Sequence, residues 1–140
     1  MKRCYWAHPW TLRKELADWA ETVNGSQEII QLIDPFHHNV RPEIQEQDRG
    51  ERGHFEMSDD ESYNIVEQDL ALLCSCDMAM AYVSNEVSVG THMEIVYARK
   101  LYAIPVWVIG LDGLDRHPWV IEHSEFIVQS LAEMEEALGI

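Results

Sequence analysis

The segment Ser84-Asn85-Glu86-Val87-Ser88-Val89-Gly90-Thr91-His92-Met93-Glu94 gathers groups able to do chemistry. It joins an apolar stretch, Asp77 to Val83, to sequence of helical character from about Thr91 to Leu101. Gly90 lets the backbone come close to a ligand, and the start of the helix offers unpaired N–H groups. Glu94 falls in the first turn of that expected helix. There it is either a reactive carboxylate or an acid that complements the helix dipole, worth roughly 0.3–1 kcal/mol. The segment is not a phosphate-binding loop. A single glycine without a following Lys-Ser/Thr fits neither the P-loop nor the dinucleotide pattern.

Metal chemistry is not expected. The three cysteines, Cys4, Cys74 and Cys76, and the seven histidines do not supply zinc-ligand spacings, although His37 and His38 are adjacent. We therefore expect no metal and no cofactor. An odd cysteine count with a Cys-Ser-Cys step is no disulfide framework and suits a reducing, cytoplasmic setting.

The elements that must hold these groups follow from hydrophobic periodicity. Arg3 to Ala7 reads as a short strand stopped by His8-Pro9. A helix then opens at Trp10 or Thr11, with Leu12, Leu16, Trp19, Ala20 and Val23 on one face, and ends at Asn24-Gly25. Glu28 to Ile33 is a second strand ending at Asp34-Pro35. His37 to about Phe55 is a long polar loop of the kind that often carries function or moves. Ser58-Asp59-Asp60-Glu61 resembles a capping box ahead of a helix bearing Ile65, Leu70, Leu72 and Leu73. Asp77 to Val83 and Ile104 to Ile109 are apolar enough for central strands covered on both sides. Gly110 to Pro118 is loop, Glu125 to Val128 a last short strand, and Ser130 to Leu138 a closing helix.

Strand and helix in alternation predict a single domain over residues 1–140: an α/β, flavodoxin-like three-layer sandwich on a five-stranded, mostly parallel sheet of order 2-1-3-4-5. Ligands of such sheets bind beyond the carboxyl ends of the strands at the topological switch point. Here that point selects Tyr5 to Trp10 and Ser84 to Glu94.

Composition narrows the partners. Twenty-five acidic residues against ten Lys and Arg give a net charge of −15. A nucleic-acid partner demands a basic stripe, and none is visible. An anionic membrane surface is equally disfavoured, and no apolar run approaches the roughly 20 residues of a membrane span. The opening MKRCYWAHPW lacks a secretory signal pattern. A small-molecule enzyme, a binding module or an interaction domain remains.

Ser88-Val89-Gly90-Thr91-His92-Met93-Glu94-Ile95-Val96-Tyr97-Ala98, followed by Ile104-Pro105-Val106, resembles the signature of the nucleoside 2-deoxyribosyltransferase family. That family includes relatives that hydrolyse deoxynucleoside 5′-monophosphates at the N-glycosidic bond. Cys4-Tyr5-Trp6-Ala7 looks like its first strand, and Asp69-Leu70 with Asp77 looks like its Asp-Leu…Ala-Asp segment. The resemblance implies Glu94 as the nucleophile at C1′ of a 2-deoxyribose, Asp69 as the acid and then the base at the nucleobase, and Tyr5 as the group orienting Glu94. It further implies substrate contacts from Ser88, Gly90, His8 and Trp10, the last as an aromatic wall for the base. The substrates would be a nucleoside or nucleoside monophosphate and a free nucleobase. A homodimer or larger homo-oligomer would share its active sites, with His123, Ser124 or Glu125 completing the neighbour's.

Two branches of the family stay open. The transferases place an Asp where Ser88 stands, so the Ser resembles the monophosphate hydrolases. Those hydrolases carry a Gly-Ser-x-Arg-like phosphate grip where this chain has His8-Pro9-Trp10-Thr11-Leu12-Arg13. Thr11 or Arg13 are the candidates to replace it. The Trp10 region and the acidic charge lean toward transfer between uncharged nucleosides. A non-catalytic nucleotide-binding or interaction domain on the same fold is the third reading.

Overall fold

A computed structural model describes residues 1–39, 58–86 and 88–140. Strands β1 (Lys2–Ala7), β2 (Ile30–Ile33), β3 (Met78–Val83), β4 (Val106–Gly110) and β5 (Phe126–Val128) alternate, among the described residues, with six α-helices. These are α1 (Arg13–Ser26), α2 (Pro35–His38), α3 (Asp59–Ser75), α4 (Val89–Val96), α5 (Pro118–His123) and α6 (Leu131–Ala137). The sheet runs β2-β1-β3-β4-β5 and every described pairing is parallel. This is the flavodoxin-like order that the sequence predicts.

Alternation along the strands divides the core in two. Cys4 and Trp6 of β1, Met78 and Met80 of β3 and Ile109 of β4 pack under α1 and α6. Tyr5, Ala7, Ala79, Ala81, Val83, Val106 and Val108 face the other way, under α3, α4 and α5. Each fully buried large side chain contributes about 1.5–3 kcal/mol, so both layers are needed to hold the central strands. Trp6 has no exposed surface, and its indole N–H is satisfied by the Leu16 carbonyl at 3.0 Å.

Several boundaries differ from the pattern-based expectation. Helix α1 continues through Asn24-Gly25 to Ser26 because Asn24 is used sideways. Its amide brackets Leu32 of β2, donating to the carbonyl at 3.0 Å and accepting from the N–H at 2.8 Å. Asp34-Pro35, expected only to stop β2, starts α2, with the Asp34 carboxylate capping the Phe36 N–H. The expected loop from His37 to about Phe55 thus begins inside a helix, and residues 40–55 of it lie outside the described part. Helix α5 arises where no element was expected, again on a proline at its first turn.

Helix α4 shows the difference with most consequence. It begins at Val89, two residues before Thr91, which moves Glu94 from the first turn to the second. A dipole-complementing role weakens there, since the effect fades beyond the first turn. After Val96 the helix widens into a π turn, Tyr97–Leu101, closed by Tyr102 N–H on the Tyr97 carbonyl. The chain leaves it through Ala103 at φ 53°.

Candidate active site

Tyr5 is the candidate residue on the first strand. It lies midway along β1 between Ile33 of β2 and Ala79 of β3, and it is fully buried on the α3/α4 side of the sheet. Its hydroxyl donates a hydrogen bond to Oε2 of Glu94 on α4. Thr91 and Ile95 of the same helix are buried, which fixes the face that α4 turns to the sheet. Glu94, one residue before Ile95, hangs beside that face and is partly buried. Burial pushes its carboxyl group from the usual 4.5 up to about 8. Donation from the Tyr5 hydroxyl acts in the opposite sense, because it favours the ionised form.

Gly90 sits one turn before Glu94. A Cβ there would stand 3.9 Å from Glu94 Oε1, so the glycine keeps space beside this oxygen. Ser88 caps the same helix by position, with its hydroxyl directed at Thr91 Oγ1 at 2.5 Å.

Asp69 enters from α3. It lies three and four residues before the buried Leu72 and Leu73, so it belongs to the sheet-facing side of that helix. It is half-buried, and its Oδ1 accepts a hydrogen bond from Asn39 Nδ2 at 2.8 Å. Asp77, linked with Asp69 in the sequence pattern, holds strands together instead. It accepts from the Arg3 N–H at 2.8 Å and donates its own N–H to the Arg3 carbonyl at 2.9 Å.

His8 departs from the expectation that it touches substrate. Its side chain has no exposed surface. Nε2 meets Asp34 Oδ2 at 2.9 Å and Nδ1 meets the Pro9 carbonyl at 3.2 Å. The ring also packs against Trp6 and Phe36, at centroid distances of 5.5 and 5.0 Å. His8 thereby ties the end of β1 to the end of β2. Trp10, half-exposed beyond it, meets Phe36 edge-on at 5.2 Å and carries the Arg13 guanidinium 3.8 Å above its ring. Arg13 Nη1 also donates to the Trp10 carbonyl at 3.0 Å, and Thr11 donates its hydroxyl to Glu86 at 3.0 Å.

His123 and Ser124 lie just before β5. Each is bound within its own turn, His123 Nδ1 at the Trp119 carbonyl at 2.7 Å and Ser124 Oγ on the Val120 carbonyl. Among the described residues no hydrogen bond joins either to Tyr5, Asp69 or Glu94. Glu125 forms an ion pair with Arg99 at 3.6 Å.

The structure adds Asp34, Phe36 and Asn39, which the residue pattern did not single out. Asp followed by Pro is a helix-start signal that could have exposed the first two. Nothing local marks Asn39, whose partner is thirty positions away. The described residues hold no group of three or more His, Cys, Asp or Glu placed to bind a metal ion. None of their helices is long and apolar enough to cross a membrane.

No protein-family profile matches the chain, and no curated protein matches its sequence. Solved structures do match its fold. A 2-deoxyribosyltransferase from the psychrotolerant bacterium Bacillus psychrosaccharolyticus is similar at TM-score 0.67 and 16% identity, over 95% of this chain and 90% of the other. A conserved protein from Enterococcus faecalis V583 gives 0.65 and 18%, over 99% and 98%. A CMP N-glycosidase from Clostridium botulinum gives 0.60 and 17%, again over 99% and 98%. The chain therefore shares one fold with these proteins along nearly its whole length.

Proposed function

We propose that this protein is an enzyme that cleaves the N-glycosidic bond of 2′-deoxynucleosides through a covalent deoxyribosyl-Glu94 intermediate and transfers the sugar to another nucleobase. The observation that carries this reading is the Tyr5–Glu94 pair. A carboxylate is held from the strand below by a phenol, beside a glycine that leaves room at its other oxygen. The folds shared with a 2-deoxyribosyltransferase and a CMP N-glycosidase support it.

In the first step ionised Glu94 attacks C1′, the bond from C1′ to the base nitrogen breaks, and Asp69 gives its proton to the departing base. In the second, the incoming base attacks C1′, its proton passes to Asp69, and the Glu94 carboxylate is released. The phenol of Tyr5 orients Glu94 and stabilises the negative charge that leaves with it. His8 serves to hold the strand ends, not to meet substrate, and Trp10 forms an aromatic wall for the base.

Uncharged nucleosides are the favoured substrates. The two groups available to replace a phosphate grip are already engaged, Thr11 by Glu86 and Arg13 by Trp10. A net charge of −15 adds a repulsive long-range field. Hydrolysis of monophosphates is the second reading. The Ser88 and Thr91 hydroxyls at the start of α4 favour it, since they and the helix N–H groups suit an anion.

Assembly into a homo-oligomer belongs to the same proposal. Val89, Met93 and Val96 recur at helical spacing on α4 and are 59, 59 and 36% exposed, an apolar stripe beside Glu94. His123 and Ser124 would reach a neighbouring site only by leaving their present bonds.

The deciding experiment incubates the protein with deoxynucleosides plus a free base, and separately with deoxynucleoside monophosphates. Base exchange that is abolished in Glu94→Ala is the expected result, with a deoxyribosyl adduct on Glu94 found by mass spectrometry. Base release from monophosphates alone would establish the second reading. No turnover in either mixture would leave a non-catalytic binding domain.

A further inference from the structure

We propose that Asn39 is a positioning residue for Asp69, orienting the carboxyl group that gives a proton to the departing base. This rests on the general-acid role given to Asp69 above. The Asn39 Nδ2–H donates to Asp69 Oδ1 at 2.8 Å, and this is the only hydrogen bond of the Asn39 side chain among the described residues. This bond fixes the plane of the Asp69 carboxyl group and so the direction in which it can give a proton. Once the proton has left, the amide still donates to the carboxylate, so Asn39 favours the state formed on the way to the transition state.

The donor itself is held from below. The Asn39 backbone N–H closes α2 on the Pro35 carbonyl at 3.1 Å, and Asp34 caps the other end of the helix at Phe36 N–H. His8 grips the same Asp34 carboxylate from the end of β1 at 2.9 Å. A four-residue helix cannot hold its shape alone, so these contacts decide where the Asn39 amide stands. Strand β1 consequently serves both carboxylates. Tyr5 reaches Glu94 on one face of the sheet, and His8, three residues on and on the Trp6 side, anchors the helix that reaches Asp69.

The test compares two leaving groups. An ordinary deoxynucleoside needs its base protonated on departure. One whose base bears a fixed positive charge (an N7-methylated purine or an N3-methylated cytosine) releases a neutral base and needs no proton. In Asn39→Ala and the isosteric Asn39→Asp, kcat for the ordinary substrate should fall about 10- to 100-fold, a fraction of what a general acid contributes. For the methylated substrate the fall should stay under about threefold, with KM for both little changed. Equal losses on the two substrates in both variants would show a merely structural residue and overturn the proposal, as would full activity of Asn39→Asp. Absence of base exchange or release by the unaltered protein would instead refute the general-acid reading on which the proposal rests.

Discussion

The two carboxylates of the proposed site are held in contrasting ways. Glu94 lies against the sheet, joined to a phenol with no exposed surface, and burial raises its proton affinity to about pH 8. Asp69, partly buried as Glu94 is, is held instead by an amide from a single-turn helix. A nucleophile at an anomeric carbon gains from a dry, rigid seat, because desolvation makes the carboxylate more reactive once ionised. A proton donor must exchange protons between half-reactions, and a hydrogen bond to one oxygen holds it in place without closing off the carboxyl group. The separation of environments is how two acids of one site take different roles.

That contrast can be broken from either side. The largest effect is expected at the nucleophile: Glu94→Ala should lower kcat at least 1,000-fold with the circular dichroism spectrum unchanged. A variant that kept a tenth of the activity would exclude covalent catalysis by this residue. Asp69→Asn should cost about 100- to 1,000-fold on ordinary deoxynucleosides. It should cost far less on those with a cationic base, as product analysis of the two can show.

Proton linkage gives the next two effects. Since attack needs the ionised carboxylate, kcat/KM for a deoxynucleoside with a cationic base, which needs no proton from Asp69, should rise about tenfold per pH unit below pH 8 and level above it. Tyr5→Phe removes a donor that favours the ionised form, so the rising limb should move to more alkaline pH, with about a 10- to 100-fold loss at pH 7. An unmoved limb would mean that the phenol does not act on Glu94. The smallest effect is on stability. Between the ordinary 4.5 and the folded value of about 8, the folded state binds the Glu94 proton more tightly than the unfolded chain. Stability is therefore lost as pH rises through that window. Glu94→Gln should match the parent in denaturant titrations below pH 4.5 and exceed it above pH 8, by about 0.5–2 kcal/mol. The same gain at every pH would point to packing instead of proton linkage.

The order of elements was legible because alternation of period two and helical spacing report burial directly. Cys4 and Trp6 separate from Tyr5 and Ala7 as strand geometry requires. Boundaries were less legible where a side chain served a distant partner. Asn24 looked like a helix stop because Asn-Gly usually is one, yet its amide is spent on Leu32. Glu94 was readable as a candidate, but its place in the second turn of α4 was not, since the helix begins at Val89, two residues before the expected Thr91. His8 looked like a ligand-facing group at the strand end. Only its bond to Asp34, twenty-six positions away, shows it closed off.

By itself the sequence determined the alternating architecture, the net acidic composition that disfavours polyanionic partners, and the short set of polar residues at the strand ends. Those properties depend on local pattern and composition, which need no knowledge of the rest of the chain. Tertiary structure decided which of those residues meet. Tyr5 and Glu94 are 89 positions apart and Asn39 and Asp69 thirty, and no local rule specifies either pair. Parallel strands and their crossovers bring these residues together, and the burial that follows sets the proton affinity of Glu94.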